Sequence, residues 1–429
     1  MVESEVYFVG AHVPITYISR VPSSKWYTHS LVYQTKELAG KVLEDLVSSG
    51  KKVAIKVHLG ERYTQAYLRP IYVRKVVDKV KELGGRPFVC DTLFSGGRVL
   101  RDDRGEAVWS RRALDEALLT AAMNGFTNET MGCPVIFADA PKGLSYVEHP
   151  FKGRYIKRVY IASAIAEADV LLCLSHFKGH DVMAIGGALK NLGVGCSSKR
   201  GKWWIHHNAK LSIDPSKCNG CGECVSQCPV GAIEMVGGKA RIATELCVDC
   251  AFCLDYCQAG AFTSRTFPSL EEQEARVGES AAGIADYFKG RAAFVNLAID
   301  IVPLCDCDAF QGTPFVPDIG VLASKDPVAI DKACVDLVNA SPGIVGSMAD
   351  EAKVLEPGSE KLNAIARMRW LATPGSNHLA PNWKVMLDAA EEVGLGRQRY
   401  RLVRVNFGYP PKSIEELFAA YEASKGSII

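Results

Sequence analysis

The chain has 429 residues, of which 48% are hydrophobic and 23% charged, and its formal net charge is +2. This composition is typical of a globular protein of two or three domains, and the near-neutral charge argues against nucleic acid or an anionic membrane as a partner. The most apolar stretch contains Glu167 and Asp169, so we expect no membrane span. No basic segment precedes the first apolar run, which predicts a cytoplasmic protein rather than a secreted one.

The first half of the chain alternates between predicted strands and predicted helices. Strands are predicted at residues 6–10, 53–60, 86–92, 134–139 and 170–177, and helices at about 31–47, 70–83 and 111–124. This alternation is typical of an α/β fold with a mostly parallel sheet covered by helices.

The alternation stops where the cysteines concentrate and then resumes. Later strands are predicted at residues 292–302, 319–324 and 400–407, and a capping box at Ser413 and Glu416 predicts a final helix. We therefore predict one α/β domain, discontinuous in sequence, with a small inserted domain. The boundaries are 1–212 for its first part, 213–266 for the insertion and 267–429 for its second part.

The insertion contains an internal repeat. CNGCGECVSQCPVGAI (218–233) recurs 29 residues later as CVDCAFCLDYCQAGAF (247–262). Each copy has the spacing C-x2-C-x2-C-x3-C, and the eight cysteines are Cys218, Cys221, Cys224, Cys228, Cys247, Cys250, Cys253 and Cys257. In a reducing compartment such cysteines indicate metal sites rather than disulfides. Zinc is the alternative, but zinc sites usually take two CxxC pairs or include histidine.

The two copies resemble bacterial two-cluster ferredoxins, whose cluster-binding run has this spacing. The resemblance implies two [4Fe–4S] clusters, each with three cysteines from one copy and the fourth from the other. The implied ligand sets are Cys218, Cys221, Cys224 and Cys257 for one cluster, and Cys247, Cys250, Cys253 and Cys228 for the other. Gln258 stands where the first copy has Pro229, so we expect a shifted potential rather than a lost cluster.

Other residues carry chemistry that an electron carrier does not need. SHFKGHDVMAIGGALKNLGVGC (175–196) follows a predicted central strand, at the sheet edge where ligands bind in open α/β folds. Histidine transfers protons near neutral pH, and lysine binds carboxylate or phosphate. The candidate catalytic residues are His176, Lys178, His180, His58 and Lys190, and the candidate ligand- or cofactor-binding residues are Lys56, Asp91, Asn191 and Asp306. A structural role for an individual histidine is the alternative.

Three further features of the sequence lie within this stretch or after it. MAIGGALKNL predicts a helix that ends at Gly193 and whose first amides suit an anion. Cys305 and Cys307 are interpreted as structural thiols, with a further metal site, shared with Cys196, as the alternative. The basic, tryptophan-containing segment 197–210 is interpreted as packing over the clusters or docking a redox partner, in preference to nucleic-acid binding.

The chain as a whole resembles the domain-of-unknown-function 362 family of iron–sulfur proteins, over about residues 50–345. The likeness rests on KGH followed by GGALKNLG, on the cysteine repeat, and on ASKDPVAID (323–331). It implies the α/β fold and the clusters, but no established general reaction. The family is also distantly similar to the nickel-pincer lactate racemase family, although no racemase motif matches here.

Three functional hypotheses remain open at this point. The first is an iron–sulfur oxidoreductase whose two [4Fe–4S] clusters pass single electrons to a small anionic substrate, with a ferredoxin or reductase as partner. The second is a pure electron carrier without a catalytic site, and the third is a non-redox enzyme with structural clusters. No dinucleotide or haem motif occurs in the sequence, and a flavin or another small ligand stays an open alternative.

Overall fold

The main element of the structure is an eight-stranded sheet. The computed structural model describes residues 3–12, 23–94, 100–101, 107–108, 110–263, 268–372 and 380–405. The sheet strands, numbered in chain order, are β1 Ser4–Gly10, β2 Lys52–Lys56, β3 Arg86–Asp91, β4 Val135–Phe137, β5 Val170–His176, β6 Ala292–Ala298, β7 Gly320–Ser324 and β8 Tyr400–Arg404.

The pairing of these strands is mostly parallel. Their spatial order is β8-β1-β7-β6-β5-β2-β3-β4. Strand β7 is antiparallel to both of its neighbours, and the other five pairings are parallel. The predicted α/β class with a mostly parallel sheet is confirmed.

Helices cover both faces of the sheet. The longer helices are α1 Leu31–Leu43, α2 Pro70–Glu82, α3 Leu114–Met123, α4 Lys199–His206, α5 Leu270–Phe288, α6 Pro327–Ala340, α7 Lys361–Ala372 and α8 Trp383–Glu392. Shorter helical segments are Ser23–His29, Asn128–Met131, Ser163–Ala166, Ala188–Lys190, Asn191–Gly195, Glu223–Gln227, Phe252–Tyr256 and Met348–Glu351. Helices α1, α2 and α3 pack on one face, and α5, α6, α7 and α8 pack on the other.

Small two-stranded pairs decorate this core. They are Leu100–Arg101 with Ala107–Val108, Tyr146–Pro150 with Arg158–Ala162, Lys178–His180 with Ala184–Gly186, Ser212–Ile213 with Phe262–Thr263, and Ile233–Val236 with Lys239–Ile242. The third pair, which we call the KGH hairpin, carries two of the predicted site residues beyond the end of β5.

The apolar run of β5 is explained by burial on both faces. Leu171 and Cys173 belong to the core beneath α5 and α6, whereas Leu172 and Leu174 belong to the core beneath α1 and α2. Side chains alternate between the faces of a strand, so a strand covered on both sides is apolar at every position. Helix α6 begins at Pro327, because the Asp326 side chain accepts hydrogen bonds from the N–H groups of Val328 and Ala329.

The segment before the cysteine repeat differs from its prediction. The predicted single helix that ends at Gly193 is instead the second strand of the KGH hairpin, followed by Ala188–Lys190 and a π-helical turn, Asn191–Gly195. The Asp331 carboxylate accepts the N–H groups of Ala188 and Leu189 at 2.7 and 2.9 Å. The predicted anion site at this helix start is therefore wrong, because a carboxylate of the chain already satisfies the amides.

Some predicted elements end earlier or lie outside the described residues. Strands β2 and β6 end at Lys56 and Ala298, because the chain leaves the sheet there to form the loops that carry polar residues. The predicted helix at Ser413 and Glu416 lies outside the described residues. Within the described part of the chain, no helix combines the length and apolar character that a membrane crossing requires.

The cysteine-rich segment has an apolar core of its own. This core contains Trp203, Leu211 and Phe262, together with cysteines of both repeats. The pair Ser212–Ile213 with Phe262–Thr263 brings the two ends of the segment together. These features are what an inserted domain requires, and the boundaries 213 and 266 stay predictions.

Candidate functional site

Four adjacent parallel strands end at one pocket. In the order β6, β5, β2 and β3, their carboxyl ends deliver His176, Lys56 and Asp91, and the loop after β6 delivers Asp306. The predicted residues that line this pocket are Lys56, His58, Asp91, His176, Lys178, Lys190, Asn191 and Asp306. Eight of the nine predicted pocket residues therefore meet at the sheet edge, and the ninth, His180, lies beside them.

A buried ion pair joins the ends of β2 and β3. Lys56 Nζ lies 2.9 Å from Asp91 Oδ1 and donates to Asn191 Oδ1 at 3.0 Å. Burial opposes ionisation of both side chains, but the charge of each partner outweighs it, so the pKa of Lys56 is raised and that of Asp91 is lowered. The pair is therefore charged, and Lys56 is already saturated with acceptors, including the Val57 carbonyl.

Asn191 holds this arrangement together. Its Nδ2 group donates to the carbonyls of Lys56 and Leu174 and to Ser175 Oγ, at 3.1 to 3.2 Å. With its oxygen accepting from Lys56, every polar atom of this amide contacts the chain. The geometry therefore favours a positioning role for Asn191, which fixes the ends of β2 and β5.

Arg111 is a pocket residue that the sequence did not reveal. Its Nε lies 3.1 Å from Glu61 Oε2, and its Nη1 lies 3.7 Å from Asp91 Oδ2. Burial opposes its charge, but Glu61 and Asp91 raise its pKa, so the guanidinium stays charged. Its Nη2 group is buried without a hydrogen-bond partner among the described residues. This free donor at a pocket wall suits a carboxylate or phosphate ligand.

Lys202 of helix α4 is the second residue that was missed. Its Nζ donates to Thr92 Oγ1 at 2.6 Å and to the Leu93 carbonyl. Burial lowers its pKa to about 8, although Asp139 and Asp91 act in the opposite direction. A lysine with this pKa exchanges its proton near neutral pH, which makes Lys202 a candidate proton donor.

His176 supports Asp306 rather than facing the pocket with a free nitrogen. Its Nδ1 lies 2.9 Å from Asp306 Oδ1, and its Nε2 lies 2.9 Å from the Ile299 carbonyl. Both nitrogens therefore face oxygen acceptors. Lys178 Nζ lies 3.5 Å from the same carboxylate oxygen, and burial, which raises the pKa of Asp306, is outweighed by Lys178 and His176. The geometry favours a positioning role for His176; a catalytic role stays a prediction.

Lys190 and Asp306 offer unused polar atoms to a ligand. Lys190 has neither an ion pair nor a hydrogen bond within the described part of the chain, and it lines the pocket. Asp306 Oδ2 is buried and has no hydrogen-bond partner there either. Together with Arg111 Nη2, these two groups are left at the pocket for a bound molecule.

His58 is an uncharged histidine of this pocket. Its Nδ1 accepts the N–H of Gly60 at 3.0 Å. Burial and the positive charge of Arg111 lower its pKa to about 3, against the smaller opposing effects of Asp91, Cys305 and Asp306. The proton therefore belongs on Nε2 at neutral pH, and His58 can donate one hydrogen bond but is a poor base.

We expect His58 to make the fold less stable as the pH falls below about 6.5. In that range the unfolded chain binds a proton, with an ordinary histidine pKa of 6.5, while the folded chain does not until about pH 3. Stability is therefore lost on acidification from pH 6.5 towards pH 3. In H58N, whose amide oxygen can still accept from Gly60, melting temperatures between about pH 5 and 7 should fall less steeply than in the wild type. Equal slopes would contradict the neutral assignment.

His180 lies beside two cysteines at the other wall of the pocket. One ligand atom from each of His180, Cys305 and Cys307 lies within 4.8 Å of the other two. A hydrogen bond from the Cys307 thiol lowers the pKa of Cys305; burial opposes this, and the charge of Lys190 adds to it. The alternative metal site was predicted with Cys196, but that thiol instead donates to the Asn191 carbonyl at 3.6 Å.

A close backbone contact holds this wall together. The Gly179 N–H donates to the Val302 carbonyl at 2.9 Å, and a Cβ added at Gly179 would lie 2.3 Å from the Pro303 carbonyl oxygen. A side chain is therefore excluded where the KGH hairpin touches the loop that carries Cys305.

We expect G179A to lower the free energy of unfolding by about 1–3 kcal/mol, the usual cost of overpacking a well-packed contact. Urea denaturation would measure the change. G10A is the matched control, because a Cβ at Gly10 meets its nearest atom at 3.7 Å. Equal stability of the two variants would show that the loop carrying Pro303 can move to accommodate the added methyl group, which would contradict the prediction.

The cysteines of the two repeats group across the copies. Burial and the neighbouring thiols of Cys257, Cys221 and Cys218 raise the pKa of Cys224. Cys228 instead lies within electrostatic range of the second copy, where it contributes to the raised pKa of Cys247 after burial and Asp249. These neighbours agree with the crossed grouping that the ferredoxin resemblance implies, and the ligand sets stay a prediction.

The repeat is also visible in the backbone around the sulfur atoms. The N–H of Ala232 points at Cys228 Sγ at 3.2 Å, and the N–H of Ala261 points at Cys257 Sγ at 3.4 Å. Gly222 and Ala251, at matching positions of the two copies, both have φ in the left-handed region, +78° and +55°. Amide donors aimed at cysteine sulfur, together with the soft donor set, fit iron–sulfur binding by the cysteine repeats.

Helix α4 connects the pocket with the cysteine-rich domain. Lys202 lines the pocket, while the next residue, Trp203, belongs to the core that contains the cysteines. Lys199 Nζ lies 2.8 Å from Asp255 Oδ2 of the second copy, and both side chains are buried. Segment 197–210 therefore packs against the cysteine-rich domain, in agreement with its interpretation from sequence.

A second connection lies at the start of α3. Arg111 lines the pocket, whereas the guanidinium of Arg112 lies 4.2 Å from the centroid of the Tyr256 ring. At both places, one residue faces the pocket and its neighbour contacts the cysteine-rich domain. The two sites thus share a wall.

Comparison with known proteins identifies the family. Residues 53–336, more than half of the chain, match the family described as Domain of unknown function (DUF362). The chain belongs to the DUF362 family. A ferredoxin of Methanothermococcus thermolithotrophicus is 41% identical to this DUF362 protein over 56 residues, which are 12% of this chain and 93% of that ferredoxin. The predicted resemblance, with its ferredoxin-like domain, is confirmed.

Other relatives of the DUF362 protein are more distant. An iron–sulfur protein of Rhodospirillum rubrum is 27% identical over 112 residues, 24% of this chain and 52% of that protein. The lactate racemase apoprotein of Thermoanaerobacterium thermosaccharolyticum is 12% identical and covers 91% of this chain, as this chain covers 88% of it, with a TM-score of 0.35. A score of this size carries no conclusion about shared activity.

Proposed function

We propose that this DUF362 protein is a redox protein in which two [4Fe–4S] clusters pass single electrons to a small anionic molecule bound in the pocket. The observation that carries the proposal is the shared wall. Lys202 and Trp203 are adjacent on α4, yet one lines the pocket and the other packs in the core around the cysteines. A cluster domain that serves only as a carrier has no need of a rigid contact with a polar pocket.

The ligands of the proposed clusters follow the crossed grouping. One cluster takes Cys218, Cys221, Cys224 and Cys257, and the other takes Cys247, Cys250, Cys253 and Cys228. When bound, such clusters supply one-electron oxidation and reduction, with potentials set by hydrogen bonds to sulfur and by exposure to solvent. The chain contributes the amide donors at Cys228 and Cys257 and the burial of Cys250 and Cys253.

The difference in exposure suggests a direction for the electrons. Cys221 is exposed, and the hairpin whose Ala240 N–H points at Cys218 Sγ has exposed apolar side chains at Met235 and Val236, at 40% and 48% exposure. A donor protein such as a ferredoxin or reductase would dock there. The second copy has no fully exposed cysteine, and it contacts α4 through the ion pair of Lys199 with Asp255. Electrons would thus enter at the first cluster and leave from the second.

The charge of the pocket favours an anionic substrate. Its lining contains five cationic side chains, Lys56, Lys178, Lys190, Lys202 and Arg111, but only two carboxylates, Asp91 and Asp306. The Nζ group of Lys56 is already occupied by hydrogen bonds within the protein. Arg111 Nη2 and Lys190 Nζ are therefore the groups left to bind a carboxylate or phosphate. Lys202, with a pKa of about 8, would protonate the molecule as electrons reach it.

Stopped-flow reoxidation tests this function. Anaerobic protein reduced with dithionite is mixed with a panel of small carboxylates and phosphates, and the cluster absorbance is followed. We expect some anion to accelerate reoxidation, and K190M to weaken its apparent affinity at least tenfold. The matched control is K41M, which removes an exposed lysine that does not line the pocket. Clusters that cycle without response to any anion would favour the pure carrier, and clusters that resist reduction would favour the non-redox enzyme.

A further inference from the structure

A group of three soft ligands stands at the pocket wall, separate from the eight cysteines of the repeats. It consists of His180 at the end of the first hairpin strand and of Cys305 and Cys307 in the loop after β6. Their ligand atoms lie within 4.8 Å of one another, and two of the three residues are fully buried. The function proposed above gives none of these three side chains a role.

We propose that His180, Cys305 and Cys307 bind a single divalent transition-metal ion of the zinc class, with one coordination position open to the pocket. Thiolate and imidazole ligands select such ions over magnesium or calcium, which prefer oxygen. Structural zinc sites are closed by four protein ligands, whereas sites that act on substrates have three and leave the fourth position to water or substrate. Three protein ligands beside a polar pocket correspond to the open kind.

The two cysteines place the proposed ion beside the anion-binding part of the pocket. Both cysteines line the pocket together with Lys178 and Lys190. Two thiolates neutralise a divalent ion, so its binding adds no net charge next to these lysines. Asp306 Oδ2 lies between the two cysteines in sequence, and it is buried without a partner within the described residues. It is a natural acceptor for a water or hydroxyl group on the ion.

The ring of His180 is held by the chain through one nitrogen. Its Nδ1 accepts the N–H groups of Val182 and Met183 at 3.0 and 3.2 Å and lies 3.1 Å from Asp181 Oδ1. Nδ1 thus faces the chain, and Nε2 is the nitrogen left for an ion. Binding of an ion through Nε2 moves the ring proton to Nδ1, so the contacts with the two N–H groups give way and the Asp181 carboxylate accepts the proton, as carboxylates do for most metal-bound histidines. Arg369 in turn lies 3.4 Å from the other oxygen of Asp181.

The loop that carries the thiols is held in place from both sides. The Cys305 carbonyl accepts from the Asp308 N–H at 2.9 Å and from Gln311 Nε2 at 3.2 Å. On the other side, Gly179 of the KGH hairpin contacts Pro303. The hairpin that provides His180 and the loop that provides the cysteines are therefore fixed against each other, which pre-organises a three-ligand site.

Metal analysis of protein with intact clusters tests the site. The anaerobic, iron-loaded protein is incubated with one equivalent of Zn²⁺, desalted, and measured for zinc and iron. We expect about one tightly held zinc per chain in the wild type, and a loss of at least 80% of it in H180A and in C307S, with iron unchanged. The matched control is C334S, which alters a buried thiol that contacts Asn296 instead and should retain zinc.

X-ray absorption at the zinc edge provides a second, independent readout. We expect the zinc to have two sulfur neighbours and one nitrogen neighbour, with a further oxygen or nitrogen atom as the fourth. Four sulfur neighbours would place the zinc in the repeats and overturn the proposal. So would wild-type protein that holds no zinc, or one in which mass spectrometry finds Cys305 and Cys307 joined as a disulfide. None of these measurements depends on electron transfer, so their failure is distinguishable from failure of the proposed redox function.

Discussion

Replacing Cys257 with alanine is expected to lower the bound iron from about eight to about four atoms per chain, since each cubane requires its four thiolates. The crossed grouping assigns Cys257 to the cluster of the first copy, with Cys224 as its neighbour. Loss of one thiolate should release that cluster and leave the other intact. Iron assay and electron paramagnetic resonance of the dithionite-reduced protein would measure this.

The comparison of variants decides the pairing. C257A and C221A should leave the same residual spectrum, and C228A and C250A should leave the other one. If C257A instead matches C250A, each copy closes its own cluster and the crossed grouping is wrong. C133A is the matched control: this cysteine is buried beneath the main sheet, outside the repeats, and its loss should leave the iron content unchanged.

Replacing Asp91 with alanine should lower the free energy of unfolding by about 3–5 kcal/mol, the usual cost of removing one partner of a buried ion pair. Lys56 would lose its contact at 2.9 Å, and Arg111 would lose one of its two carboxylates. Both cations would remain buried at the pocket wall without adequate compensation. The shift of the urea denaturation midpoint, followed by circular dichroism under anaerobic conditions, would measure the loss.

A surface ion pair provides the control for Asp91. Asp78 on α2 pairs with Arg74 and Lys75, all of them partly exposed, and D78A should cost no more than about 1 kcal/mol. The same side chain is truncated to alanine in both variants. The difference between their losses in unfolding free energy therefore measures the effect of burying the charge. Similar costs would mean that water reaches Lys56 once Asp91 is gone, and that the pair contributes little to the fold.

The sequence was sufficient to predict the site residues at the edge of the sheet, but not the side chains that contact them. Lys56, Asp91 and His176 were predicted because each follows an apolar strand, and parallel strands end at the same edge. Arg111 was missed because the sequence predicts a helix that begins near residue 111, whereas α3 begins at Leu114 and Arg111 lies in the irregular connection before it. The contact of His176 with Asp306 joins residues 130 positions apart, and no local pattern encodes that distance.

Helix α4 shows the same limit. Its basic and aromatic residues correctly indicated packing over the cysteine-rich domain, and Lys199 and Trp203, four residues apart, lie on that side. Lys202 points to the pocket instead, which only the orientation of the helix in the fold determines. The three-ligand group was likewise only half predicted, since the cysteines were singled out while the KGH hairpin that brings His180 to them was not.

The exposure of Cys221 in the first cysteine copy also affects how the protein would lose clusters to oxygen. Cys221 is exposed, whereas Cys250 and Cys253 are buried. If the protein holds the two clusters proposed above, oxygen and chelators would attack the one bound by Cys221 first, so decay would proceed in a fixed order. Protein exposed to air would retain its inner cluster and its pocket, but it would lack the outer cluster that accepts electrons from the donor protein.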